Sequence, residues 1–186
     1  MEEKKNADEI IKMHVIFAMT AGAIPLPMAD LVAVSAIQYD MIRQLAELYG
    51  ADYDSNKGKT LASSMMGAAV ARIGSSLIKA IPGVGTLLGI GSQVITSGAT
   101  TYAMGKILDS HFAGKGSIDS FNLDSVKAEY NDLLNKGKEY AKNLKQSIKK
   151  EDVFVTIEKL SQLKASGAIS EEEFQKTKEK LLSKIS

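Results

Sequence analysis

An all-α chain is predicted: a glycine- and alanine-rich apolar helical core followed by a charged helical C-terminus. Three observations predict it. Apolar residues recur three and four apart through most of the 186 residues, the period of one face of a helix. Proline and glycine punctuate the pattern near residues 22–27, 50, 81–85, 114–116 and 167. Charge is segregated, since between Thr60 and Gly105 only Arg72 and Lys79 are charged, whereas from Gly114 onward more than one residue in three is.

The first helix is expected from about Ala7 to Gly22, with Asn6 as its cap and Ile10, Ile11, His14, Val15, Phe17 and Ala18 as a broad apolar face. Pro25 and Pro27 must break it, because proline lacks the donor and clashes with the preceding turn. Pro27 suits the first turn of a second helix, where Asp30 favours the positive end of the dipole and Gly50 stops the run after Tyr49. A polar loop over 51–58 leads to a third helix from Lys59 to Lys79. A second break follows at Ile81-Pro82-Gly83-Val84-Gly85, then a fourth helix from Thr86 to Ser110. Ala23-Ile24-Pro25 matches Ala80-Ile81-Pro82, and Leu31, Ser35 and Ile37 fall in register with Leu88, Ser92 and Val94. Two apolar helical hairpins, each folded at an Ile-Pro turn, is the simplest reading, although a composition this rich in Ala, Ile and Gly also produces such matches by chance.

A linker from His111 to Asn122 precedes a long amphipathic helix over 123–148, whose seam is Val126, Tyr130, Leu133, Gly137, Tyr140, Leu144 and Ile148. Glycine at 137 weakens that helix by roughly 1 kcal/mol relative to alanine. The C-terminus reads as a small helical hairpin. Phe154, Ile157, Leu160 and Leu163 form one stripe, Gly167 ends it, Ile169 lies in the turn, and Ser170-Glu171-Glu172-Glu173 is a capping box ahead of Phe174, Leu181 and Leu182. The domain division is therefore 1–113 for the core, 114–150 for linker and amphipathic helix, and 151–186 for the hairpin.

No chemistry is nominated: no catalytic residue, no cofactor and no metal. The chain has no cysteine, which excludes disulfides and thiolate sites. Gly58-Lys59-Thr60 matches the end of a phosphate-binding loop, but Tyr53 stands where its first glycine is required and no strand precedes it. The two histidines are not at metal-ligand spacing; His14 reads as a hydrogen-bonded core residue and His111 as a helix end. Asp52 and Asp54 read as a solvated loop. A net charge of +1 and lysines without interleaved aromatics argue against nucleic acid.

The small residues carry more. Gly85 and Gly89, and Gly67 with Ala71, have the small-xxx-small spacing that lets helices approach closely, in lipid or in a tight bundle. The charge-free run from Ala80 to Gly105 is long enough for a bilayer, yet Ser92, Gln93, Thr96, Ser97, Thr100 and Thr101 dilute it. Lys136, Lys138, Lys142, Lys145, Lys149 and Lys150 crowd the end of the long helix, either as a solvated face or as an attraction for anionic lipid.

The spaced set Ala23-Ile24-Pro25-Leu26-Pro27-Met28-Ala29-Asp30, Gln38, Met41-Ile42, Tyr49-Gly50 and Ile81-Pro82-Gly83-Val84-Gly85 resembles the YcjF-like domain of unknown function over residues 7 to 113. That resemblance implies association with a membrane or with a GTPase, and no catalysis. The chain departs from the GTPase-linked members in having no GTPase domain. Residues 151–186, through Leu160-x-x-Leu163, Gly167-x-Ile169, Glu172-Glu173-Phe174 and Lys180-Leu181-Leu182, resemble the short C-terminal domain called SHOCT, which implies oligomerisation. The expected function is a non-catalytic, membrane-associated or self-assembling helical scaffold in the bacterial cytoplasm or on the cytoplasmic face of the inner membrane. The mixed charge of Met1 to Lys5 gives no secretion signal. Its expected partners are further copies of itself, membrane lipid, or a separate GTPase. Pro25, Pro27, Pro82, Gly83, Gly85 and Gly89 would set hairpin geometry. Asp30 and Gln38 would cap, bond internally or meet a partner. Three alternatives stay open: a soluble homo-oligomer, a regulatory partner of a GTPase, and a pore-forming protein.

Overall fold

A computed structural model describes residues 2–21, 29–65, 85–147 and 150–183. Among them lie seven helices and no strand. They are α1 (Glu2–Ala21), α2 (Ala29–Leu48), α3 (55–65), α4 (Gly85–Ala113), α5 (Lys127–Lys145), α6 (Lys150–Ala165) and α7 (Glu171–Leu182). Both Ile-Pro turns, with Pro25, Pro27, Pro82 and Gly83, fall outside the described residues. Gly85 opens α4, and Gly89 lies in its second turn.

Helices α1, α2, α4 and α5 form a bundle in which α4 packs on α5 and α1, and α1 on α2. Its core takes Ile11, Val15 and Met19 from α1 and Met41, Ile42 and Leu45 from α2. Met104, Ile107, Leu108 and Phe112 enter from α4, Leu61 and Met65 from α3, and Tyr130 and Ala141 from α5. Fully buried side chains such as Leu45 and Leu108 each contribute about 1.5–3 kcal/mol. The amphipathic helix thus belongs to the same core as the apolar helices rather than to a separate segment. A second apolar cluster joins Phe17, Ala18 and Ala21 of α1 and Val34 and Ile37 of α2 to Val153, Leu160, Leu163, Ile169, Phe174 and Leu181 of the hairpin. Residues 17–21 are buried on every side because the bundle covers one face of α1 and the hairpin the other.

Several element ends differ from expectation for local reasons. Helix α1 starts at Glu2, with Glu2 and Glu3 complementing its positive end, so Asn6 lies inside it rather than capping it. Helix α3 begins at 55 instead of 59. The Asp54 carboxylate accepts the Lys57 N–H at 2.8 Å and acts as the cap. The long helix starts at Lys127, after a turn in which the Asn122 side chain accepts from the Asp124 N–H at 2.9 Å. In α6 the inward stripe is Val153, Thr156, Leu160 and Leu163, spaced three, four and three; Phe154 is one position out of phase and 56% exposed.

Gly50 and Gly167 end α2 and α6 in the left-handed region, at φ 60° and 72°. After α6 the Ala168 N–H reaches the Leu163 carbonyl at 2.8 Å and the Gly167 N–H that of Lys164 at 2.9 Å, satisfying two of the helix's last acceptors. The capping box follows at once, with Ser170 Oγ accepting from Glu173 N–H at 3.2 Å and Glu173 Oε2 from Ser170 N–H at 2.7 Å. Ser170→Ala is expected to cost about 1 kcal/mol. At roughly 2–4 °C per kcal/mol for a chain of this size, a calorimetric scan should show a small fall in melting temperature, and an unchanged one would mean the cap adds nothing.

Candidate functional site

Three features stand where the hairpin and the bundle meet or along the edge of α1. The first is a buried carboxylate. Asp40, on the inner side of α2 among Ile37, Met41 and Ile42, is 3% exposed. His14 Nε2 of α1 lies 2.9 Å from its Oδ2, Gln44 Nε2 donates to the same oxygen at 2.7 Å, and Arg43 donates to Oδ1 at 2.8 Å. Lys159 of α6 completes the set with an ion pair to Oδ2. Burial by itself would raise the Asp40 pKa. The hydrogen bonds from His14, Lys159 and Arg43 outweigh it and hold the carboxyl well below the usual carboxylate range. His14 Nδ1 also lies 2.8 Å from the Ile10 carbonyl, so each ring nitrogen has an oxygen partner. One carboxylate therefore ties α1, α2 and the C-terminal hairpin together.

The second feature lies beside it. A groove of about 490 Å³ runs between α1 and α6, lined by Ile10, Met13, Phe17 and Val155 with Glu158 and Gln162 at its edge. Met13, Phe154 and Val155, at 40%, 56% and 42% exposed, are the large hydrophobic side chains left open to solvent among the described residues. The third is a groove of about 580 Å³ bounded by α1, α4 and α5, with Lys4, Lys5, Lys12 and Lys106 around it and Tyr102 and Tyr140 beneath. The two tyrosine rings pack 4.8 Å apart at 34°. Burial, then the neighbouring Tyr102, raises the Tyr140 pKa. Burial would lower Lys106, but its ion pair with Asp8 prevails and raises it, so the ammonium stays charged.

Of the residues singled out in the sequence, Gln38 is fully buried and donates to Thr101 Oγ1 at 3.0 Å and Thr100 Oγ1 at 3.4 Å, while its own Oε1 has no partner among the described residues. Asp30 sits in the first turn of α2. Leu160, Leu163, Ile169, Phe174 and Leu181 all enter the second apolar cluster. Gly58 is a packing residue: a Cβ there would meet the Tyr53 ring at 2.6–2.9 Å. His111 Nε2 lies 2.8 Å from the Ser117 carbonyl. No group of three or more His, Asp or Glu suited to a metal occurs among the described residues. Close helix approaches fall at Gly98, Gly105 and Gly137; the sequence pattern places Gly137 on the seam of the long helix but marks neither Gly98 nor Gly105 for packing. Also missed was the partly buried bond from Tyr49 Oη to Asp109 at 2.6 Å, where burial and the acceptor carboxylate raise the tyrosine pKa.

An α-helical bundle carrying a short C-terminal hairpin defines the class. The model of the domain of unknown function DUF697 matches residues 2–150, and that of the short C-terminal domain SHOCT matches residues 156–182. The chain belongs to the DUF697 family, with a SHOCT domain after it. The family match begins five residues before the resemblance read from the sequence and extends through α5. Magnetosome membrane protein 22 of Magnetospirillum gryphiswaldense is 37% identical over 144 residues, 75% of this chain and 74% of the relative. No solved structure matches. No described helix is long and apolar enough to cross a membrane.

Proposed function

We propose that this protein is a non-catalytic helical scaffold that associates with a membrane surface and assembles with further copies of itself, the C-terminal hairpin providing the contact. The observation that carries the assembly is the open apolar surface at the junction of bundle and hairpin: Met13 and Val155 line one groove, and Phe154, next to Val155 in α6, is also exposed. Water contact at large apolar side chains is unfavourable, and apolar patches rimmed by polar groups are where proteins meet. Glu158 and Gln162 supply such a rim. The membrane half draws on the relative, which is named a membrane protein.

The test uses the intact chain. Sedimentation should give an oligomer, and the double variant Phe154→Glu with Val155→Glu should sediment as a monomer with unchanged helical circular dichroism. Equal masses for the two proteins would remove the patch as the contact. Cell fractionation should place the protein with membranes and release it into an alkaline carbonate wash. A protein absent from the membrane fraction would remove the membrane half of the reading.

A further inference from the structure

We infer that the groove between α1, α4 and α5 is a binding site for the phosphate-bearing headgroup of an anionic phospholipid. The inference rests on the membrane reading above and adds to it where the lipid binds and which lipid class it is. Positions 4, 5, 8, 9 and 12 of α1 follow the helical period and share one face, which turns towards the groove. Across it, Tyr102 and Lys106 lie one turn apart on α4, and Tyr140 comes from α5.

Charge and polarity select the occupant. The lysines at 4, 5, 12 and 106 face the carboxylates Asp8 and Glu9, so the lining carries a net +2. Lys106 and Asp8 engage each other, which leaves Lys4, Lys5 and Lys12 against Glu9 alone within the lining. Those three lysines are exposed at the rim. Beneath them the buried side chain of Ile11 and the paired tyrosine rings form an apolar floor. Cations above and apolar surface below match a lipid, whose phosphate is charged and whose glycerol and upper acyl segments are not. Free phosphate would use the rim and leave the floor wet. The volume of about 580 Å³ lies within the range of ligand pockets, roughly 300–1,000 Å³.

The intact protein is tested by flotation with vesicles of neutral phosphatidylcholine, with and without phosphatidylglycerol. Binding should need phosphatidylglycerol. Lys4→Gln, Lys5→Gln and Lys12→Gln together should weaken it about a hundredfold, since a lysine near an anionic surface is worth about fivefold, or roughly 1 kcal/mol. The triple variant Lys138→Gln, Lys142→Gln and Lys145→Gln on the exposed face of α5 should weaken it far less. Equal losses from the two triples would mean a diffuse basic surface and overturn the groove. Equal binding to neutral vesicles would overturn the headgroup while leaving the membrane reading intact. Binding to neither vesicle would remove the membrane reading and the groove with it. As a second readout, dihexanoyl phosphatidylglycerol below its micelle concentration should raise the melting temperature of the parent and not of the α1 variant. Inorganic phosphate giving the same rise would assign the site to free phosphate and overturn the lipid.

Discussion

Asp40→Asn is expected to destabilise the protein by about 3–5 kcal/mol, the usual cost of removing one partner from a buried ion pair and leaving the other charge uncompensated. His14 and Lys159 account for most of it. Arg43 is 38% exposed and also holds Glu47, so water screens its share. With a urea slope of roughly 1–3 kcal/mol/M, the unfolding midpoint should fall by about 1 M or more. Hydrogen exchange should speed up first in α6, because Lys159 is the hairpin's ion pair to this carboxylate. A loss under about 1 kcal/mol would show the cluster to be incidental. The same carboxylate sets an acid limit. Its folded pKa is depressed, so its contribution is complete above the unfolded value near 3.9 and is lost as pH falls through the lower folded value. The gap in stability between parent and variant should therefore be constant at neutral pH and narrow below about pH 4.

Gly137→Leu is the second large effect, and Gly137→Ala decides its cause. By helix propensity alone, alanine in the middle of α5 should stabilise by about 1 kcal/mol. The structure predicts the opposite sign. A Cβ at 137 would lie 2.8 Å from the Ala99 carbonyl oxygen and 3.0 Å from its Cα, and both are backbone atoms of α4 that cannot rotate away. Overpacking of this kind costs typically 1–3 kcal/mol, so alanine should lower stability modestly and leucine by about 3 kcal/mol, with α5 displaced. The contrast is Gly98→Ala, where the nearest obstacles at 2.6 and 2.9 Å are the Met19 Cγ and Sδ, part of a flexible side chain. Thermal melts of the three variants should rank Gly98→Ala as mildest and Gly137→Leu as most severe. A stabilised Gly137→Ala would refute the close crossing.

What the sequence made legible was local. Gly50, Gly167 and the capping box at Ser170 act within five residues of themselves, and each ends or starts a helix where its neighbours indicate. The apolar period of α1 likewise survives, with Ile11, His14, Val15 and Ala18 turned inward. What stayed hidden depends on residues far apart in the chain. Asp40 is followed by Arg43 and Gln44 at helical spacing, so it resembles any surface acid; its other partners are 26 residues earlier and 119 later. The available signal was an acid set among Ile37, Met41 and Ile42. Gly137 looked like a weak point because propensity is a property of one helix, whereas the need for hydrogen in place of a side chain comes from another. Phe154 is the larger apolar side chain, yet phase rather than size decides that Val153 faces inward.

The second apolar cluster has a consequence for synthesis. Its two halves are made at very different times, because Ile37 precedes Val153 by 116 residues. At roughly 5–20 residues per second, the greasy ends of α1 and α2 wait on the order of 6 to 23 s for the hairpin that covers them. During that interval they are surface for whatever is nearby: a chaperone, a lipid bilayer, or the nascent chain of a neighbouring ribosome.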